Sequence, residues 1–172
     1  MTVLKPADTF PDISFNLMSG ETVKLTNRIG SWVMLIVYRG HHCPRCKDYI
    51  KRLHKLAPTY TDRGVEILLA ATDPEALVQR TIDENDWTLP VAHGLTVEQC
   101  QSLSLYLTPH IPDYELDGLY AEPGLFLINP KGETQVIAIS NSPSVRPDLE
   151  VVLDGIVGTQ DRNLPIRGTY FG

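Results

Sequence analysis

Residues 32–46 read Trp32-Val33-Met34-Leu35-Ile36-Val37-Tyr38-Arg39-Gly40-His41-His42-Cys43-Pro44-Arg45-Cys46. The first seven are apolar without alternation, and β-branched and aromatic types are prominent. That is the pattern of a central strand covered on both faces. Gly40 breaks the run. From Pro44 to about Thr61 the period changes. Cys46, Tyr49, Ile50, Leu53, Ala57 and Tyr60 recur at three- and four-residue spacing, with Lys47, Asp48, Lys51 and Lys55 facing away. This predicts an amphipathic helix packed on a sheet. Two cysteines therefore stand where a buried strand hands over to a helix N-terminus, an arrangement that points to redox chemistry.

Working outward, Asp62-Arg63-Gly64 ends the helix and Val65 to Ala71 predicts a second buried strand. Upstream, Ile13 to Leu17 and Thr22 to Leu25 flank the turn residues Ser19-Gly20-Glu21 and predict a hairpin. Downstream, Asp73-Pro74-Glu75 reads as a helix start with Asp73 capping, the helix running to about Asn85. Leu89 to Ala92 is a short strand. Thr96 to Leu107 is a helix pattern with Thr96 capping. Thr108 to Pro123 is a long loop, an insertion of the kind that is functional or packed down. Leu125 to Ile128 is a strand, Asn129-Pro130-Lys131-Gly132 a type I turn, and Gln135 to Ser140 the antiparallel return. Pro147 to Val157 predicts the last helix, and residues 158–172 an irregular tail. The expectation is one α/β domain over 1–172, its mixed central sheet flanked by helices.

Composition narrows the function classes. The chain has 172 residues, 42% hydrophobic and 21% charged, with a net charge of −6. No basic cluster invites nucleic acid or an anionic membrane surface. No apolar run approaches the roughly 20 residues of a membrane helix. Met1 to Phe10 lacks a basic region followed by an apolar one, so the expected location is cytoplasmic. Three cysteines do not form a secreted disulfide scaffold.

Pro44 suits the first helical position, where its missing N–H costs nothing. Cys43 then falls at the N-cap and Cys46 in the first turn, near unpaired N–H groups and the positive end of the helix dipole. In such settings a thiol falls from about 8.5 into the range ~3.5–7.5. Arg45, His41 and His42 add nearby positive charge. Spacing i, i+3 fits the ~5.5 Å Cα separation of a disulfide. As the cap, Cys43 is expected to face solvent and attack. Cys46, on the core face with Tyr49 and Ile50, is expected to resolve. A stabilised thiolate stabilises the reduced form, so the pair is expected to be more oxidising than one with neutral intervening residues. A metal reading of His41, His42, Cys43 and Cys46 stands against this. Four donors so close in sequence do not easily surround one zinc, and no second C-x-x-C or H-x-x-H exists.

Val37 to Cys46 resembles the active-site segment of the alkyl hydroperoxide reductase/thiol-specific antioxidant family, the peroxiredoxins and their thioredoxin-like relatives. The likeness extends through Pro6-Ala7-Asp8-Thr9-Phe10, the hairpin from Gly20 to Leu25, the strand ending at Thr72, and Gly124-Leu125-Phe126-Leu127-Ile128-Asn129 with its Gly132 turn. It implies a thioredoxin-like fold over most of residues 4–157, with no bound cofactor or metal beyond a redox-active Cys43–Cys46 disulfide. The peroxiredoxin proline, threonine and peroxidatic cysteine fall on Arg39, Cys43 and Cys46, and the family's peroxide-binding arginine falls on Pro123. Thioredoxins align their C-x-x-C with Cys43 and Cys46 and their cis-proline with Pro123, which would then shape a docking surface beside Cys43. Their buried acid falls on Val37, leaving Glu122, His42 or water as proton acceptor for Cys46.

The expected activity is thiol–disulfide exchange by Cys43 and Cys46, supported by Arg39, His42, Pro44, Arg45 and Pro123. The alternatives are a thiol peroxidase, with Cys46 peroxidatic and Cys43 resolving, and a redox-sensing binding protein. Partners would be a protein or small-molecule thiol or disulfide, or a hydroperoxide, with an external electron donor. A homodimer is compatible. Cys100 is expected to be structural, His54 a surface residue, His93 and His110 unremarkable loop residues, and Trp32 and Trp87 core packing.

Overall fold

The computed structural model describes residues 3–109 and 118–172. In chain order the elements are β1 (Ser14–Leu17), β2 (Thr22–Lys24), β3 (Trp32–Val37), α1 (Pro44–Asp62), β4 (Val65–Ala70), α2 (Glu75–Asn85), β5 (Val91–His93), α3 (Val97–Ser102), β6 (Leu107–Thr108), β7 (Tyr120–Ala121), β8 (Gly124–Ile128), β9 (Thr134–Ile139) and α4 (Leu149–Arg162). Seven strands form one mixed sheet in the order β2-β1-β5-β4-β3-β8-β9. β3 lies near its middle, parallel to β4 and antiparallel to β8.

The unbroken apolar run of β3 is explained by its two faces. Met34, Ile36 and Tyr38 join a cluster with Cys46, Ile50 and Leu53 of α1 and Leu149, Leu153 and Ile156 of α4. Val33, Leu35 and Val37 join the opposite cluster with Phe10, Phe15, Cys100, Leu103 and Phe126. Burying each such aliphatic side chain contributes about 1.5–3 kcal/mol. The Trp residues pack as expected. Trp87 is buried with its ring edge-on to Tyr38 at 5.4 Å, and half-buried Trp32 lies against the first cluster.

Several expectations are corrected. α3 stops at Ser102, because Ser104 takes a left-handed φ of 57° and Leu105 N–H turns back to Cys100 O. Leu107 and Thr108 continue the apolar period, but they pair as β6 with β7 and place two strands at the ends of the predicted loop. Its middle, with His110, lies outside the described residues. The last helix begins at Leu149, capped by Asp148, and runs to Arg162, so the irregular tail starts later than 158. His93 lies in β5. His54 is half-buried and works as a clamp: its Nε2 accepts Thr88 N–H at 3.0 Å, and its ring stacks on Trp87.

Asp73 does not cap α2, whose N-cap is Pro74. Its buried carboxylate turns to the loop after β3 and accepts His41 N–H at 2.7 Å. Burial raises its pKa, opposed by that hydrogen bond. Gly40, at φ 125°, is what lets the carboxylate approach, since a Cβ there would lie 2.5 Å from Asp73 Oδ1. Gly40→Ala is therefore expected to lower unfolding free energy by about 1–3 kcal/mol. Urea denaturation checks this; an unchanged midpoint would show that Asp73 and the loop do not constrain each other.

Candidate functional site

The Cys43–Cys46 turn sits at the N-terminus of α1 as its local sequence dictates. Cys43 is the N-cap, with extended φ and ψ, and Pro44 occupies the first turn. Cys43 Sγ accepts the Cys46 amide at 3.3 Å, so a sulfur takes the place of the usual capping oxygen. Both sulfurs belong to free thiols. Contrary to the solvent-facing expectation, Cys43 is only 2% exposed and Cys46 is fully buried. A helix cap is open locally, but here neighbouring segments cover it.

The cover is chemical as well as steric. Arg146, on the segment before α4, donates from Nη2 to Cys46 Sγ at 2.9 Å and stands 3.9 Å from Cys43 Sγ. Its Nε donates to Pro143 O, and its guanidinium lies over the Tyr49 ring at 5.3 Å. On the other side, Arg39 donates its backbone N–H to Cys46 Sγ at 3.4 Å, and its side chain is among the groups that lower the Cys43 pKa. Arg39 is fixed in turn by Glu122 at 3.0 Å and Tyr120 OH at 2.9 Å, with its guanidinium over the Tyr120 ring.

The two thiols titrate as one unit, sharing a proton and a negative charge. A hydrogen bond from the Cys46 thiol is the largest influence drawing Cys43 down to about 6, against the opposing effect of burial; the Cys46 amide, Arg39 and Arg146 add to the lowering. Cys46 moves the other way, because burial and the hydrogen bond to Cys43 outweigh Arg146. The closest donors, Arg146 Nη2 and Arg39 N–H, are nevertheless on Cys46. The charge belongs on Cys43 because that sulfur caps the helix, is the less deeply buried of the two and is lowered by the Arg39 guanidinium.

The other expected support residues divide. Pro44 and Arg45 are exposed, and Arg45 is not among the groups that lower Cys43. His42 packs on Tyr120 at 4.9 Å between ring centres, and neither ring nitrogen has a hydrogen-bond partner among the described residues. Burial, with Arg39 nearby, holds its pKa down to about 4, so it is neutral at pH 7 and adds no positive charge. His41 turns away, its Nδ1 meeting Thr81 Oγ1 at 3.0 Å. Glu122 pairs with Arg39 and hydrogen-bonds neither sulfur, so it is not the expected proton acceptor for Cys46. Pro123 adjoins the site through a trans peptide bond, correcting the cis expectation. Cys100 is fully buried in the cluster across the sheet, with burial raising its pKa to about 11, and so fits its structural assignment.

Sequence reasoning missed Arg146, 100 residues from Cys46. The available signal was the vacancy at Pro123: a chain without arginine there has reason to supply one from elsewhere, and Arg146 stands before Pro147 close to a helix start. Beside Arg146 opens a largely apolar cavity of about 240 Å³, whose walls include Ile36, Tyr49, Pro123, Leu125 and Val145. Thiolate, cations and apolar hollow lie side by side.

The chain is 29% identical over 143 residues to thiol-disulfide oxidoreductase ResA of Oceanobacillus iheyensis, a stretch covering 78% of this chain and 65% of that protein. It is 34% identical over 83 residues to ResA of Halalkalibacterium halodurans, covering 46% and 47% respectively. It thus spans about two thirds of the first relative and matches about half of the second. Among solved structures, peroxiredoxin 6 of Arenicola marina superposes with a TM-score of 0.77 at 16% identity, over 91% of this chain and 74% of that one. AhpC of Mycobacterium bovis superposes at 0.73 and 18% identity, over 93% and 99%. These likenesses establish the thioredoxin-like fold. The model of the AhpC/TSA family matches residues 6–137, a span that holds the β3–α1 junction and its dithiol, and the chain belongs to that family.

Proposed function

We propose that the chain is a dithiol–disulfide oxidoreductase in which Cys43 attacks and Cys46 resolves. The observation that carries this reading is two free thiols at one helix N-terminus, Cys43 Sγ accepting the Cys46 amide and Cys46 Sγ receiving Arg146 Nη2 and the Arg39 N–H. The Cys43 thiolate would attack one sulfur of a substrate disulfide, forming a mixed disulfide and releasing the other half as a thiolate that takes a proton from water. Cys46 would then lose its proton and attack Cys43 Sγ, closing the Cys43–Cys46 bond and releasing the second thiol. The pair gives up two electrons and the substrate gains them. An external thiol donor would return the disulfide to the dithiol. Because both sulfurs are covered, the segment carrying Arg146 has to shift for a protein substrate to reach Cys43. The apolar hollow beside Arg146 offers room for an apolar group flanking the target bond.

One observation favours a second reading, a thiol peroxidase. Cys46 stands at the family's peroxidatic position and receives both Arg146 and a backbone N–H. In that reading the Cys46 thiolate attacks one peroxide oxygen, the O–O bond breaks to release an alcohol or water, and Cys43 condenses with the resulting sulfenic acid to form the disulfide and a molecule of water. We place the protein in the cytoplasm, a reading supported by its cysteine usage and tested by fractionation. Among the described residues no helix is long and apolar enough to cross a membrane.

The first reading expects reduced protein to cleave insulin disulfides. Cys43→Ser abolishes this, and Cys46→Ser stalls as a mixed disulfide on Cys43. Rapid sulfenic acid on Cys46 with peroxide, and no insulin reduction, would reject it. The pH profile is equally specific. A thiolate with a midpoint near 6 is already formed at pH 7 and is lost only as pH falls through 6. Alkylation of Cys43 is therefore expected to rise less than ~1.5-fold between pH 7 and 9, where an ordinary thiol of about 8.5 rises more than ~10-fold. A steep rise over that interval would contradict the assignment.

A further inference from the structure

Three departures from the family pattern meet at one place. Arg39 stands where family members carry the loop proline, Cys43 where they carry threonine, and Pro123, immediately after Glu122, where they carry arginine. Arg39 Nε lies 3.0 Å from Glu122 Oε2, with the two side chains only 13% and 5% exposed. Thr108 Oγ1 donates to Glu122 Oε1 at 2.6 Å, and Glu122 N–H donates to Tyr106 O. Tyr120 OH accepts from Arg39 Nη2. β6 through Thr108 and β7 through Tyr120 thus hold the Glu122–Arg39 pair, and the Arg39 backbone N–H donates to Cys46 Sγ. An unpaired buried carboxylate here would be strongly disfavoured, so the pairing constrains both partners.

We infer that Glu122 is a positioning residue that sets the reactivity and redox poise of the dithiol through Arg39. This deepens the dithiol reading above and rests on it. The groups facing Cys43 are Arg39 from the loop after β3, Arg146 from the segment before α4, Cys46 and the N–H groups of α1, with neutral His42 alongside and Glu122 behind Arg39. In the reduced protein two guanidinium charges face one thiolate and one carboxylate. Oxidation removes the thiolate and leaves the carboxylate as Arg39's counter-charge among the described residues. Glu122 therefore restrains the field that stabilises the thiolate and compensates the arginines once the disulfide has formed. Both effects move the pair away from strongly oxidising behaviour.

The test reads the protein's own thiols rather than turnover. Thiolate absorbance is titrated with pH, and the dithiol–disulfide equilibrium is measured against glutathione. Glu122→Gln, which keeps the shape and removes the charge, is expected to let the thiolate persist to about tenfold higher proton concentration and to move the glutathione equilibrium about tenfold towards the dithiol. Arg39→Met is expected to move both readouts the opposite way. The double variant loses both charges together and should return both towards wild type; it keeps the claim testable if one single variant does not fold. A merely structural role would loosen the loop in either variant and shift both in the same direction. That result, or a Glu122→Gln protein with both readouts unchanged, overturns the inference. Failure of the protein to reduce any disulfide substrate would sink the proposed function while leaving the thiolate titration readable.

Discussion

Everything at this site depends on the bond between the Cys46 amide and Cys43 Sγ at the open end of α1. A helix N-terminus presents N–H groups without intrahelical partners, and a cap side chain satisfies one of them. Here the cap is a sulfur, so a structural requirement of the helix also stabilises a thiolate. Pro44 makes the junction local and rigid, and the buried strand β3 fixes where it stands. The arginines come from outside this turn and act on a charge that the helix end already favours.

The chemistry of the pair is then a balance between desolvation and compensation. Covering both sulfurs penalises negative charge, and that penalty decides Cys46. On Cys43 it is outweighed by the Cys46 thiol and amide, Arg39 and Arg146. Relative to the family pattern, the chain has exchanged proline, threonine and arginine for Arg39, Cys43 and Pro123. Arg146 restores a cation at the sulfurs from another direction, so the substituted site remains electropositive. What the substitution adds is a second sulfur three residues before the first, so the turn carries a dithiol in place of a single thiol.

Much of the fold was legible because its signals are local. The unbroken run from Trp32 to Tyr38, the helical period after Pro44 and the turn at Asn129 to Gly132 each depend on residues close in sequence. The Cys43–Cys46 placement was legible for the same reason. The misreadings have tertiary causes. Leu105 and Leu107 extend the apolar period of α3, yet the chain turns at Ser104 and Leu107 pairs across to β7. Asp73 has the sequence setting of a helix cap, but the His41 amide outcompetes the helix end. His54 looked like a surface residue because nothing near it in sequence announces the Thr88 and Leu89 amides. Of the charges that sequence reasoning placed around the thiols, Arg39 acts, while Arg45 is exposed, His42 is neutral and His41 turns away. The covering of Cys43 and the arrival of Arg146 both come from a segment a hundred residues away.

The central claim is that the negative charge of the dithiol resides on Cys43. Limiting iodoacetamide at pH 7 on the fully reduced protein, followed by peptide mapping, tests it directly. The account predicts that the first label falls on Cys43, with Cys46 modified only afterwards. A first label on Cys46 would contradict it and transfer the nucleophile's role to the other sulfur.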